Sequence, residues 1–107
     1  MHTSSVKVLR GPITFGGWRA QLTVNGDLLT IEGDGAGRSL VVSLAEVKRA
    51  SFNSSNGLWS FRLKDGRRVW IQSAGGLLSA DRTAAGHETN ERIADRLAAL
   101  QVRVFGL

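Results

Sequence analysis

Leu58-Trp59-Ser60-Phe61-Arg62-Leu63-Lys64-Asp65-Gly66-Arg67-Arg68-Val69-Trp70-Ile71-Gln72 is the stretch whose reading decides the fold. Apolar and polar residues alternate on both sides of Asp65-Gly66, the pattern of two antiparallel strands joined by a tight turn. Loop length then sets which side chains share a face. A two-residue Asp-Gly loop would pair Arg62 with Val69 and Phe61 with Trp70, mixing apolar and basic residues on both faces. A three-residue loop, with a type I turn through Lys64-Asp65 and Gly66 left-handed, shifts the pairing by one. Trp59, Phe61, Leu63, Val69 and Ile71 then share one face, and Ser60, Arg62, Arg68, Trp70 and Gln72 the other. The second register is preferred, because the first would bury an arginine at a cost of several kcal/mol. Its consequence is an outward-facing Trp70.

A second hairpin is expected from Trp18 to Glu32, around Val24-Asn25-Gly26-Asp27. A two-residue Asn-Gly turn would place Val24 opposite Asp27, Leu22 opposite Leu29, and Arg19 opposite Glu32 as a cross-strand ion pair. Trp18, Ala20, Leu22, Val24, Leu29 and Ile31 fall on its inner face. Between the hairpins, residues 38–44 alternate as a strand with Leu40, Val42 and Leu44 inward. A break at Ala45-Glu46-Val47 leads to another strand over 48–52, and residues 53–57 read as a loop. Val6 to Leu9 adds an edge strand before Gly11-Pro12.

Residues 74–87 lack periodicity and read as a loose connection, with a helical turn around 77–81. A helix follows over about 88–101. His87 or Thr89 would cap it, Glu88 and Glu91 suit the positive end of its dipole, and Glu88 pairs with Arg92 at i, i+4. Ile93, Leu97, Leu100 and Val104 form one apolar stripe, flanked by Ala94 and Gln101. The expected fold is therefore mainly β: one domain over 1–107, with about seven antiparallel strands within 6–72 in a bent sheet or open barrel, capped by one C-terminal helix.

A chain of 107 residues leaves room for one core, and its 42% hydrophobic and 21% charged residues are those of an ordinary globular protein. No apolar run approaches the eighteen or so residues of a membrane helix. Met1 to Lys7 lacks the apolar segment of a signal peptide, so the cytoplasm is the expected compartment. Without cysteine there are no disulfides, thiolate metal sites or cysteine nucleophiles. The net charge of +5 is uneven: Arg38 to Ser73 holds seven basic residues against two acids, and the rest of the chain balances.

Seven strands followed by a helix is the element order of pleckstrin-homology-like (PH-like) domains, and three stretches resemble their small bacterial members. These are Gln21-Leu22-Thr23-Val24-Asn25-Gly26-Asp27-Leu28-Leu29-Thr30-Ile31, Val42-Ser43-Leu44-Ala45-Glu46-Val47-Lys48-Arg49-Ala50, and Phe61-Arg62-Leu63-Lys64-Asp65-Gly66-Arg67-Arg68-Val69. Relatives that bind phosphoinositides use a basic loop between the first two strands. That connection reads here as Val24-Asn25-Gly26-Asp27, tight and without a basic residue, so no family site residue carries over. The resemblance implies an adaptor or self-assembling module.

Other constellations are weaker. Gly33-Asp34-Gly35-Ala36-Gly37-Arg38 lacks both the spacing and the following helix of a phosphate loop, and reads as an inter-strand connection. His87-Glu88 has Glu91, not a second histidine, four residues on from His87, and His2 is the only other histidine, so no zinc site is expected. Glu32 and Asp34 flank a glycine loop rather than a rigid cleft, and no serine nucleophile with its base can be picked out. The expectation is a non-enzyme without cofactors. Its candidate surface is the outer face with Trp70, Arg62 and Arg68, extended by Lys48 and Arg49. An exposed tryptophan beside guanidinium groups suits a protein partner or a second copy of the chain, with nucleic acid or acidic lipid as the alternative. A purely structural role would place Trp70 under Arg62, under the helix or under the amino-terminal segment.

Overall fold

The computed structural model describes residues 2–11, 17–35, 37–73 and 84–106, so the helical turn expected at 77–81 lies outside the described residues. Among the described residues eight strands, β1 (His2–Leu9), β2 (Trp18–Asn25), β3 (Leu28–Gly33), β4 (Ser39–Ser43), β5 (Val47–Asn53), β6 (Leu58–Leu63), β7 (Arg68–Ser73) and β8 (Val104–Phe105), accompany one α-helix, α1 (Ala84–Ala99), and a single 3-10 turn at Leu44–Glu46. A single sheet takes them in the order β4-β3-β2-β1-β7-β6-β5-β8, with β4 and β8 at its ends, so it is not closed. The first seven pair antiparallel; β8 runs parallel to β5. This mainly β architecture with one C-terminal helix is the expected class, with one strand more than expected.

The first strand departs from expectation. It spans eight residues and lies in the middle of the sheet, between β2 and β7. Ser4, Val6, Val8 and Leu9 are its buried positions; a serine in the alternating row and the Thr-Ser-Ser run conceal the first half of the alternation. The connection between the first two strands is consequently 10–17, and Val24–Asp27 belongs to the next connection. That overturns the loop assignment used for the phosphoinositide comparison.

The β6–β7 hairpin has the predicted register: Trp59 faces Ile71, Phe61 faces Val69 and Arg62 faces Arg68. Gly66 has φ +92°, Leu63 N–H bonds Arg67 O at 2.8 Å, and Gly66 N–H bonds Leu63 O at 3.0 Å. The Asp65 carboxylate accepts from the Arg67 backbone N–H at 2.9 Å and from its side chain at 2.8 Å, which holds the Asp65 carboxyl below its ordinary range. In the β2–β3 hairpin the predicted faces hold but the register does not. Val24 faces Leu29, Leu22 faces Ile31 and Gln21 faces Glu32, so Arg19 is not opposite Glu32. The two loop residues are Gly26 and Asp27, and only Gly26 has positive φ, at +58°. A glycine at the first central position is the type II′ pattern, whereas an Asn-Gly type I′ turn would need Asn25 there as well. The slip is two residues, one full period of the strand, so every side chain keeps its face.

Trp59 sits at the centre of the core, 4.6 Å from the Phe52 ring and 5.6 Å from that of Phe61, stacked on the latter. Ile93 and Leu97 of α1 are fully buried and Leu100 packs against the same cluster, as the stripe predicts. The helix starts four residues before the expected 88, so His87 and Thr89 lie inside it and do not cap it. Ala84 to His87 carries no capping signal and includes Gly86, which made it look like loop. Thr89 instead is buried, donating to Ala85 O at 2.9 Å and sharing a hydrogen bond with Ser4 of β1. Asn90, also buried, accepts from Trp59 Nε1 at 2.9 Å and from Ser73 Oγ at 2.6 Å. Its carbonyl oxygen is thus a second polar pin between helix and sheet. At the other end Gln101 N–H bonds Ala98 O at 3.0 Å and Val102 N–H bonds Leu97 O at 2.9 Å, a Schellman closure with Gln101 at φ +60°. The helix therefore stops before 101, and Val104 reaches the core from β8 rather than from the helical stripe. No helix among the described residues is long and apolar enough to cross a membrane.

Candidate functional site

Strict alternation along β5 would send Lys48 outward and Arg49 into the core. A bulge between Val47 and Arg49 interrupts it. Val47 and Ala50 are buried while Lys48 and Arg49 are both exposed, which resolves an orientation the sequence left open. Bulges re-aim side chains in this way, and here the re-aimed residue is Arg49. It lies opposite Arg62 of β6, and Arg62 lies opposite Arg68 of β7. Three arginines therefore form one cross-strand row at the spacing of adjacent strands, roughly 4.8 Å. All three are exposed, and none has an ion-pair partner among the described residues. Like charges directly opposite each other destabilise a sheet.

Beside it runs a second row, Phe105, Ser51, Ser60 and Trp70, across β8, β5, β6 and β7. The two rows line one open groove of about 540 Å³. Arginines stand along one side, hydroxyl-bearing serines form the middle, and aromatic rings stand at the two ends of the second row. Trp70 is half-buried, and its partner across the β1–β7 seam is the buried Leu9 of the amino-terminal strand. The amino-terminal strand thus lies beside Trp70 within the sheet. The cation–π contact that the structure describes is a different one, Arg103 over Phe105 at 4.9 Å. Phe105 is 44% exposed.

Of the five residues expected at the site, the structure brings Trp70, Arg62, Arg68 and Arg49 together. Lys48, at the bulge, is exposed but does not line the groove. Phe105 was missed, because a two-residue strand has no periodicity and the helix was expected to run on towards it. The β-branched and aromatic pair Val104-Phe105 was the available signal.

The weaker constellations are dispersed. Gly33 to Arg38 joins β3 to β4, closed by a bond from Gly33 N–H to Arg38 O at 2.7 Å. His87 pairs with Glu91 at 3.0 Å on the exposed helix surface, while His2 contacts Glu88. Among the described residues no group of three or more histidines and carboxylates is placed to hold a metal ion. Glu32 lies on the outer face of β3 in a shallow depression with Gln21, Thr23 and Thr30, and Asp34 is exposed beyond it. Among the described residues the arginine-lined groove is thus the arrangement that concentrates most chemistry on a surface. Comparison with known proteins adds no relative to interpret it: no protein-family model matches the chain, and no curated protein matches it significantly.

Proposed function

We propose that this domain is a non-catalytic binding module that takes single-stranded nucleic acid across the outer face of β5, β6, β7 and β8. The observation that carries the reading is the row Arg49, Arg62, Arg68, three guanidinium groups without an acid, beside a row that ends in Trp70 and Phe105. Guanidinium groups contact successive phosphates, and aromatic rings on a sheet face stack on bases whatever the sequence. A groove of about 540 Å³ lies within the usual range for ligand sites and is open enough for a chain to pass through. Seven antiparallel strands followed by a helix support a PH-like architecture for the module. Its ligand face would then be the β5–β7 sheet rather than the loop after the first strand.

Fluorescence anisotropy of a labelled oligothymidylate at two salt concentrations tests the proposal. Three phosphate contacts to a single strand give a slope of log K against log salt of about −2. Arg62→Ala should lower its magnitude by about 0.7, and Trp70→Ala should cost about 1–3 kcal/mol of binding. Absence of binding at low salt overturns the reading. So does binding that neither variant weakens, or a preference for acidic phospholipid vesicles over the oligonucleotide.

A further inference from the structure

The opposite end of the sheet differs in kind. β4 is its terminal strand, with the sequence Ser39-Leu40-Val41-Val42-Ser43: no charge, no proline and no glycine. The bonds from Gly33 N–H to Arg38 O and from Leu44 N–H to Asp27 O fix which backbone groups β4 spends on β3. Both pairs belong to the register in which Ile31 faces Leu40 and Leu29 faces Val42. Positions 38, 40, 42 and 44 therefore bond inward, and alternation turns the N–H and C=O of Ser39, Val41 and Ser43 away from β3. Among the described residues nothing pairs with them. Val41 is 53% exposed, and Leu28, beside Ser43 on the same outer face, is 42% exposed. These are two of the three exposed large hydrophobic residues described.

We propose that β4 pairs antiparallel with β4 of a second copy of this chain, about a two-fold axis at Val41. The strand is self-complementary in that arrangement. Val41 meets Val41, Ser39 meets Ser43 and Leu40 meets Val42, so apolar faces apolar and serine faces serine. The outward backbone groups of Ser39, Val41 and Ser43 fall opposite those of Ser43, Val41 and Ser39, which makes every one of them a hydrogen-bonded pair. An isologous contact needs a surface that complements itself, and a chain of net charge +5 needs that surface to be neutral. β4 meets both conditions, and the arginine row at the far end of the sheet meets neither. Terminal strands left bare are normally blunted by lysine or proline. This one carries no such residue.

Light scattering and sedimentation of the full chain over a roughly hundredfold concentration range give the test. The expected result is a monomer–dimer equilibrium in the wild type. Val41→Lys, at an exposed position, should keep the circular dichroism of the wild type but remain monomeric throughout. Because the chain has no cysteine, Val41→Cys supplies the only thiol. In a hydrogen-bonded antiparallel pair the two Cα atoms stand about 5.5 Å apart, within reach of a disulfide. Mild oxidation should link Val41→Cys into covalent dimers well ahead of Ala98→Cys, a control on the exposed surface of α1. A wild type that stays monomeric overturns the proposal. A Val41→Lys variant that still assembles, or equal cross-linking of the two cysteine variants, does so too. None of these readouts depends on the groove holding a ligand.

Discussion

Asn90 shows how much one side chain can hold. Its oxygen accepts from the indole N–H of Trp59, the largest buried residue, and from the Ser73 hydroxyl at the end of β7. Replacing it by leucine keeps the volume but strands the Trp59 indole N–H in the core, where an unsatisfied group costs about 1–3 kcal/mol, whereas the Ser73 hydroxyl keeps Gly57 O as an acceptor at 3.2 Å. Asn90→Leu should therefore destabilise the domain by about 1–3 kcal/mol in urea unfolding; a loss below 1 kcal/mol would mean that water reaches the indole N–H. The role was hidden in the sequence, because Asn90 falls on the same helical stripe as Ile93 and Leu97, where a polar residue reads as a flank. Its partners lie 31 and 17 positions away. Trp70 was easier to place, since one choice of loop length settled its face.

At the scale of elements, what could be read was what periodicity controls. Both hairpins show the predicted faces, and the β6–β7 register holds because the alternative would have buried a charge. The β2–β3 register slipped by two residues because both candidate loops give identical faces, so burial could not choose between them. The conformational demand on Asn25 chose instead. Helix ends were less legible than the helix stripe: α1 closes on Gln101 in the left-handed region, a conformation that costs an L-residue about 1 kcal/mol and glycine almost nothing. Gln101→Gly should accordingly stabilise the domain by about 0.5–1 kcal/mol, read as a raised urea midpoint with unchanged slope. An unchanged or lowered midpoint would place the strain elsewhere. The bulge in β5 left no mark in the sequence, yet it turns Arg49 to the surface.

For the whole molecule, the uneven charge was visible from the start, and the fold turns part of it into a single row. Arg62 stands between two like charges, each separated from it by one strand spacing. Arg62→Ser should therefore raise stability at low salt by about 0.2–1 kcal/mol while weakening oligonucleotide binding. The gain should shrink at high salt, where screening shortens to a few ångströms. Equal stability at both ionic strengths would show that the arginines do not repel. Stability and binding are thus expected to move in opposite directions at this position, as they do where a surface is kept for a ligand.

The central position of β1 carries a consequence for how the chain acquires its shape. β1 to β4 form one run of neighbouring strands and β5 to β7 another, each joined by short connections, whereas the two runs meet where Val6 pairs with Ser73 and Val8 with Ile71. β1 thus waits for β7 before the sheet is continuous. Closing so long a loop is entropically costly, and contacts of that sequence separation slow folding. During synthesis β1 keeps a bare edge until residue 73 has emerged, and docking of that seam is the step at which slow folding is expected.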